Sequence, residues 1–385
     1  MKIVTITDVC DIQVGKTPSR NNKTYWGEGA LWLSIADMNQ GSELRKTKET
    51  ITQKAIQECN CKLIPSGTVL FSFKLSIGKV GINKVPMYTN EAIAAFIIKD
   101  DAKLNTKFLY YVLKSVDHNI GSNRAVMGKT LNKKQLEQIK IPLPPLEDQK
   151  RIVAVLDQAD SLRQKRQKAI SLLDDYLKAV FLEMFGDPHN NIHDFSIGTI
   201  GDLVCEVKYG TSKKAEEKGE YIYLRMNNIT YSGEWDLSAL KYINLTDDEK
   251  PKYLAEHGDI LFNRTNSKEL VGKTAVYDLD EPMAIAGYLI RARVNDKAVP
   301  EYISGYLNSK HGKLTLEKMC KNIVGMANIN AKELQKIRII IPPVALQEKY
   351  AQIVKKNRAL KAVMINQSKE LNTNFDALMQ RSFTK

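Results

Sequence analysis

The sequence repeats itself, and this repetition restricts the chain to folds built from two similar halves. The stretch LNKKQLEQIKIPLPPLEDQKRI, which begins at Leu131, matches INAKELQKIRIIIPPVALQEKY, which begins at Ile329. Gln149 and Gln347 occupy the same place in these two stretches, and the match continues without a gap as far as Phe383. A match of this length indicates two copies of one structural unit.

Upstream of these stretches the similarity is looser but keeps its order. Gly15-Lys16-Thr17 corresponds to Gly210-Thr211-Ser212, and the strand-like segment 67–71 corresponds to 258–262. Each half therefore has a variable globular part followed by a closely matched tail. Two similar scaffolds that carry different surfaces suggest one task performed on two different targets.

The globular parts have the pattern of mixed α/β domains. Short apolar runs bounded by Gly, Pro or Asn predict strands, and these runs are Val69–Phe73, Ile93–Ile98, Ile260–Phe262 and Ile285–Ile290. Helical patterns cover residues 105–116, 131–138, 300–309 and 330–336. Asn132 and Asn330 stand where helix N-caps are expected.

A long helix is predicted after each Pro-Pro pair, because proline is tolerated at the start of a helix and not in its interior. Apolar residues recur there with coiled-coil spacing, at Ile152, Val155, Leu156, Ala159, Leu162, Ala169, Ile170, Leu173, Tyr176, Leu177 and Val180, and again at Ile353, Val354, Leu360, Met364, Leu371, Phe375 and Leu378. Such a long apolar stripe must be covered. We expect the two helices to pair antiparallel; the alternative is that each packs only on its own domain.

The predicted fold class is therefore α/β (α+β), with two similar mixed α/β domains separated by two long antiparallel coiled-coil helices. The domains are expected at residues 1–143 and 196–341, and the helices at 144–185 and 342–385. A linker is expected at residues 186–195.

The charge of the chain points to a polyanionic partner. The formal net charge is +13, and basic residues are spread along the sequence rather than packed into one tract. Nucleic acid is the usual partner of such a protein, although a basic protein without one is the simple alternative. No apolar run reaches membrane length, and no secretory signal pattern begins the chain, so we expect a cytoplasmic protein.

Motifs for catalysis and metal binding are missing from the sequence. The Gly-Lys-Thr triplets at Gly15, Gly128 and Gly272 lack the earlier glycine of a phosphate-binding loop. Asp187-Pro188-His189-Asn190 lacks the second proline and the aromatic residue of an amino-methyltransferase tetrad. Five scattered cysteines and five histidines have no metal-ligand spacing. We expect a binding protein with no catalytic residue, no metal and no cofactor of its own.

Polar and basic residues near the predicted loops are the candidates for DNA contacts. In the first domain these are Lys16, Thr17, Ser19, Arg20, Lys23, Lys74, Arg124, Lys129 and Thr130. In the second they are Tyr209, Thr211, Ser212, Lys213, Lys214, Arg225, Asn227, Asn228, Asn263, Arg264, Thr265, Asn266 and Lys268. The Asn-Arg-Thr-Asn run after an apolar strand is the most specific of these, and its alternative is a hydrogen-bonded turn. Trp26 and Trp32 are expected in the core rather than as stacking platforms.

The chain resembles the specificity subunit of type I restriction-modification systems over nearly its whole length. The resemblance rests on GKTPS (15–19), GTVLFSFKLSIGKVGI (67–82) and GDILFNRTNSKELVGKTAVY (258–277), and above all on Pro-Pro-x-x-x-Gln before a long helix, present twice. The second copy has Ala345-Leu346-Gln347 in place of the usual acidic-Gln step.

The resemblance implies two target recognition domains, each reading one half of a split, asymmetric DNA site. It also implies partners: double-stranded DNA, two methyltransferase subunits that use S-adenosylmethionine, and in some systems translocase-nuclease subunits that use ATP and Mg²⁺. Two alternatives remain open at this point. One is a self-contained methyltransferase or nuclease with fused specificity domains, and the other is a helical scaffold that joins proteins.

Overall fold

The chain divides into two compact units. The computed structural model describes residues 2–74, 76–116, 131–323 and 326–383. The first unit joins residues 1–165 to residues 368–385, and the second is residues 166–367. Both long helices contribute one part to each unit. The boundaries predicted from the sequence, which keep each helix whole as a separate segment, stay a prediction.

The first unit is a mixed α/β structure. Its strands are β1 (Ile3–Thr5), β2 (Cys10–Val14), β3 (Trp26–Leu33), β4 (Glu43–Leu44), β5 (Glu49–Ile51), β6 (Val69–Ser72), β7 (Val80–Asn83), β8 (Tyr88–Thr89), β9 (Ile93–Ile98) and β10 (Lys140–Pro142). Its helices are α1 (Ile6–Val9), α2 (Gln53–Glu58), α3 (Thr106–Ser115), α4 (Lys133–Glu137) and the first part of α5 (Leu146–Phe185). The sheets have the orders β2-β9-β6-β7-β4, β5-β3-β8 and β1-β10.

The core of the first unit lies between its five-stranded sheet, α3 and the long helices. Phe71 and Phe96 from neighbouring strands are fully buried, with ring centroids 6.4 Å apart. The side chain of Asn105 accepts a hydrogen bond from the amide of Phe108 and caps α3. Residues 108–113 of this helix are all buried, so the middle of α3 is enclosed on every side, as expected for a helix in a core.

The second unit repeats this plan. Its strands are β11 (Ser196–Thr199), β12 (Val204–Tyr209), β13 (Tyr221–Leu224), β14 (Tyr242–Ile243), β15 (Ile260–Asn263), β16 (Thr265–Asn266), β17 (Thr274–Val276), β18 (Ala284–Ile285), β19 (Leu289–Val294), β20 (Lys321–Ile323), β21 (Met326–Asn328) and β22 (Arg338–Ile341). Its helices are α6 (Lys250–Tyr253), α7 (Pro300–Asn308), α8 (Lys310–Met319), α9 (Ala331–Gln335) and the first part of α10 (Val344–Phe383). The sheets have the orders β12-β19-β15-β17, β14-β13-β18, β16-β21-β20 and β11-β22.

The strand order confirms the internal repeat. The row β2-β9-β6-β7 of the first unit has the same order as β12-β19-β15-β17 of the second. Both units also contain a parallel strand pair, β3 with β8 and β13 with β18. In both, the first strand pairs antiparallel with the last one, β1 with β10 and β11 with β22. The predicted α/β class with two similar domains is therefore correct.

An aromatic cluster from the long helices and α7 centres the core of the second unit. Phe181 and Phe185 come from α5, Tyr350 from α10 and Tyr302 from α7, and their ring centroids lie 4.8–5.9 Å apart. Large buried rings contribute most of the apolar area of such a core. The two long helices are thus part of the domain core and not only a spacer.

The two long helices run antiparallel. In the second unit Asp174 of α5 contacts Lys361 of α10, and Phe181, further along α5, contacts Tyr350, which comes earlier in α10. In the first unit the guanidinium of Arg163 donates to Asn372 at 2.7 Å. The alternative of helices that pack only on their own domains is therefore wrong.

Part of the predicted apolar stripe faces solvent. Val155, Leu162, Tyr176 and Leu360 are exposed, whereas Lys361, next to Leu360, is buried. Polar pairs such as Lys361 with Asp174 lie between α5 and α10. The buried face of each helix therefore includes polar residues and leaves some of the most apolar ones exposed. Which residues of these helices are buried depends on the side chains that pack against them from other elements. Hydrophobic spacing in the sequence does not show those contacts.

Most predicted elements are present, and one is corrected. The strand Ile93–Ile98 has the predicted bounds, and Asn132 and Asn330 each form a capping box. The predicted single strand Ile285–Ile290 is instead split between β18 and β19, which belong to different sheets. A turn separates them, closed by the amide of Leu289 donating to the carbonyl of Ala286 at 2.8 Å.

Candidate nucleic-acid interface

A glycine fixes the start of the loop at residues 15–23, which carries the first group of candidate contacts. The amide of Lys16 donates to the carbonyl of Thr89 at 2.8 Å, and the indole of Trp32 donates to the carbonyl of Lys16 at 3.0 Å. A Cβ on Gly15 would lie 2.3 Å from the Thr89 carbonyl oxygen. Only glycine allows this approach, so the loop leaves the sheet at a defined point with the Lys16 side chain exposed.

Two candidates of this loop are paired with carboxylates that the sequence reasoning missed. The guanidinium of Arg20 lies 3.8 Å from the centroid of the Trp26 ring and forms an ion pair with Glu49. The hydrogen bond between them raises the pKa of Arg20 and lowers the pKa of the Glu49 carboxyl. Thr17 donates to the carboxylate of Glu91. Arg20 and Thr17 would therefore have to give up a carboxylate partner within the protein before they could contact DNA.

The other candidates of the first domain differ in exposure. Lys16, Ser19 and Lys23 are exposed. Lys74 is half-buried, with its Nζ 5.3 Å from the centroid of the Phe73 ring. Three candidates, Arg124, Lys129 and Thr130, lie outside the described residues.

The second domain begins its loop in the same way. The amide of Thr211 donates to the carbonyl of Ile285 at 2.9 Å, and the hydroxyl of Tyr223 donates to the carbonyl of Thr211 at 2.6 Å. A Cβ on Gly210 would lie 2.3 Å from the Ile285 carbonyl oxygen. Tyr223 thus does in the second domain what Trp32 does in the first. Trp32 is buried and has this structural role.

The loop then turns to solvent. Thr211 itself is buried, whereas Ser212, Lys213 and Lys214 are exposed. Lys213 forms an ion pair with Glu249, so Ser212 and Lys214 are the more accessible candidates of this loop.

A second group of candidates forms a turn after β13. The side chain of Asn228 accepts from the amide of Arg225 at 3.0 Å and donates to the carbonyl of Asp236 at 2.8 Å. Asn228 is buried, Arg225 is half-buried and donates to the carbonyl of Ala239, and Asn227 is exposed. Asn228 holds the turn, and Asn227 is the residue that the turn presents to solvent.

The Asn-Arg-Thr-Asn run is a strand connection and not a turn. Thr265 and Asn266 form β16, which pairs with β21, and the Thr265 hydroxyl donates to the side chain of Asn328 at 3.0 Å. Asn263 is fully buried, and its side-chain amide has no hydrogen-bond partner in the part of the chain that the structure describes. Beyond the run, Lys268 is exposed and lies 3.5 Å from a carboxylate oxygen of Glu317.

Arg264 and Tyr209 are the two predicted contacts that the fold brings together. The guanidinium carbon of Arg264 lies 4.7 Å from the centroid of the Tyr209 ring. The Tyr209 hydroxyl accepts from the amide of Ala331 at 2.9 Å, which fixes the ring. Arg264 is half-buried, Tyr209 is exposed, and no ion pair of Arg264 is found among the described residues. A charged, planar group is therefore held on an exposed aromatic ring without a carboxylate partner.

A matched pair of lysines was missed by the sequence reasoning. The Nζ of Lys79 donates to the carbonyl of Ile35 at 3.2 Å, and the Nζ of Lys273 donates to the carbonyl of Met226 at 2.6 Å. Both lysines follow a glycine with positive φ, Gly78 and Gly272. The Gly-Lys dipeptide in corresponding parts of the two copies was the signal that could have revealed them.

In the part of the chain that the structure describes, no group of three or more His, Cys, Asp or Glu side chains is placed to hold a metal ion. No helix in the described ranges is long and apolar enough to cross a membrane.

Known proteins resemble the chain along nearly all of it. It is 25% identical over 394 residues to the type I restriction enzyme MjaIX specificity subunit of Methanocaldococcus jannaschii, with 95% of this chain and 88% of that protein covered. It is 23% identical over 372 residues to the type I restriction enzyme EcoKI specificity subunit of Escherichia coli, covering 90% and 79%.

Solved structures share the fold. The crystal structure of a type I restriction-modification S subunit from M. genitalium matches with a TM-score of 0.56 and 15% identity, covering 99% of this chain and 96% of that one. A chain from a study of complex assembly and conformational transition in the type I R-M system matches with a TM-score of 0.62 and 18% identity, covering 99% and 97%.

A family model matches each half of the chain separately. It describes the type I restriction modification DNA specificity domain, and it matches residues 1–172 and again residues 192–373. Since these two matches cover most of both repeats, the chain belongs to the family of type I restriction-modification DNA specificity proteins.

Proposed function

We propose that each of the two domains reads one half of a bipartite, asymmetric DNA site on behalf of a type I restriction-modification complex. The support is that matched positions of one scaffold carry different side chains. The amides of Leu131 and Ile329 donate to the carbonyls of Phe73 and Arg264, respectively, so the last two residues occupy equivalent places. Phe73 is buried in the core of its domain, whereas Arg264 is only half-buried in the other, so the two domains differ in the side chains that they present to DNA at this place.

The pairing of Arg264 with Tyr209 is the observation that carries the proposal. A guanidinium can donate two parallel hydrogen bonds to guanine or to a phosphate. The guanidinium of Arg20 is already paired with Glu49. By contrast, no carboxylate lies within ion-pair distance of Arg264 among the described residues. Stacking on Tyr209 orients the Arg264 plane before DNA arrives, which reduces the entropy lost on binding.

We propose that the chemistry belongs to partner subunits and that this chain has no catalytic residue. The partners are two methyltransferase subunits, which use S-adenosylmethionine, with translocase-nuclease subunits that use ATP and Mg²⁺ where the system includes them. The net charge of +13 supports a role in holding DNA. No cofactor is assigned to this chain.

Binding of double-stranded DNA by the purified chain, alone and with its methyltransferase subunits, tests this function. We expect specific binding only in the complex, and a loss of affinity by orders of magnitude between about 50 and 200 mM salt, because counterions are released from DNA. Affinity that does not respond to salt would favour the protein scaffold. Methylation or cleavage of DNA by the chain alone would favour the self-contained enzyme.

A further inference from the structure

Two lysines that have no carboxylate partner among the described residues meet in the second unit, beside the turn after β13 and the loop that starts at Arg264. The Nζ of Lys313, on α8, donates to the side chain of Asn308 at 2.9 Å and to the carbonyl of Gly272 at 3.2 Å. Lys273, the next residue, donates to the carbonyl of Met226. Neither lysine forms an ion pair within the described part of the chain. All of their protein acceptors are neutral oxygens.

Burial makes these charges unfavourable in the free protein. Lys273 is buried and Lys313 is half-buried. Burial, and to a smaller extent the neighbouring charge of Lys273, lowers the pKa of Lys313 to about 8. Burial also lowers the pKa of Lys273, against an opposing effect of Asp236. Partly desolvated cations without counterions cost free energy that a bound anion would offset.

The position of the pair connects it to the candidate DNA contacts. Lys313 binds the end of the loop that starts at Arg264, and Lys273 binds the turn that presents Asn227. The exposed ring of Tyr231 lies 4.8 Å from the Nζ of Lys313. An ammonium group has three donors, and Lys313 uses two of them on the protein. One donor remains for a ligand.

We propose that Lys313, supported by the charge of Lys273, binds a backbone phosphate of DNA. This proposal rests on the DNA-reading function proposed above and adds a contact that positions the second domain without reading bases. Lys273 has its counterpart in Lys79 and belongs to the shared scaffold. Lys313 is the residue to vary, because Lys273 also holds the turn after β13.

Salt-dependent DNA binding of the complete complex tests the contact. In Lys313→Met we expect weaker binding and a dependence of log K on log salt that is shallower by about one. Lys313→Arg keeps the charge and should keep most of the slope. Lys241→Met is the matched control, because it removes the same charge from a lysine that is paired with Glu217. The methylated bases should be unchanged in all three variants.

The pH dependence of the unaltered complex provides a second readout that requires no variant to fold. A phosphate would raise the pKa of Lys313, so binding takes up a proton and should weaken as the pH rises from about 7 to 9. In Lys313→Arg this decrease should be reduced. The charge that acts on Lys313 is that of Lys273, which itself interacts with Asp236, and α8 also carries Lys310, His311, Glu317 and Lys318.

The outcomes separate the two proposals. If the unaltered complex does not bind DNA, the proposed function fails. If it binds with a steep salt dependence and Lys313→Met has the same slope, affinity and pH response, the phosphate contact alone is overturned. A change in the bases methylated by Lys313→Met would also overturn it, because a phosphate contact carries no base information.

Discussion

The side-chain amide of Gln149 donates to the carbonyl of Pro144 at 2.9 Å, and Gln347 makes the same bond to Pro342 at 2.8 Å. Both glutamines are fully buried. The side-chain oxygen of Gln347 also accepts from the amide of Val299, which joins the start of α10 to the segment before α7. The Pro-Pro-x-x-x-Gln signature therefore has a physical cause: proline starts the helix and the buried amide ties it to the domain.

Replacing Gln347 by methionine should destabilise the second unit by at least about 2 kcal/mol, because buried polar groups lose their partners while the volume is kept. The groups left unpaired are the amide of Val299 and the carbonyls of Lys297 and Pro342. Urea unfolding measures the change. Gln158→Met, at an exposed position on α5, is the control, and equal unfolding midpoints for the two variants would refute this role of Gln347.

Features with a local cause could be predicted from the sequence. The capping boxes at Asn132 and Asn330 depend on neighbours within a few residues, and the strand Ile93–Ile98 is a continuous apolar run in the sequence. The split at Ile285–Ile290 was missed because the run is apolar throughout, and only the strand pairing shows that two sheets share it. The repeat was detectable because its two copies still share a scaffold.

The site was predicted less completely, because its electrostatics depend on distant residues. Arg20 meets Glu49 only after folding, and Lys213 likewise meets Glu249. Nothing near Arg264 in the sequence indicates that it reaches Tyr209. Residue type was enough to identify candidates for DNA contact. Only the fold shows which of these cations lack a carboxylate partner.

Arg264→Ala should relax recognition of one half-site and leave the other unchanged. A bidentate contact of arginine with a base contributes about 1–3 kcal/mol of discrimination. Mapping methylated sites in cells that carry the variant measures this, with Arg338→Ala, an exposed arginine of the same unit, as control. Equal changes in both half-sites would show that the two domains are not independent, and no change would exclude a base contact by Arg264.

Acid should destabilise the second unit through His311. Burial lowers the pKa of His311 below its usual value, although the carboxylate of Asp187 at 4.0 Å opposes this effect. His311 therefore binds a proton more readily in the unfolded chain than in the folded chain. The free energy of unfolding falls as the pH decreases from about 7 through the pKa of the folded state. His311→Gln should reduce this decrease in thermal unfolding, whereas His257→Gln, at an exposed position, should retain it. An unaltered pH profile in His311→Gln would contradict the assignment.

Lys361 should be the most sensitive charge on the long helices. Its Nζ lies 2.6 Å from a carboxylate oxygen of Asp174 and 2.7 Å from one of Glu234, and its side chain is 8% exposed. Lys361→Met leaves the two carboxylates facing each other without a cation. We expect a loss of about 2 kcal/mol, less than the ~3–5 kcal/mol for a fully buried pair, because both carboxylates are partly exposed to water.

A double-mutant cycle separates the ion pairs of Lys361 from its packing. Glu234→Gln combined with Lys361→Met should cost less than the sum of the two single changes, since removing one carboxylate relieves the repulsion that the lysine had balanced. Lys356→Met, at an exposed position on α10, removes the same charge and should change stability by no more than about 0.5 kcal/mol. If the two single changes were additive, the pair with Glu234 would contribute nothing, and the loss in Lys361→Met would come from the pair with Asp174 and from the apolar stem of Lys361.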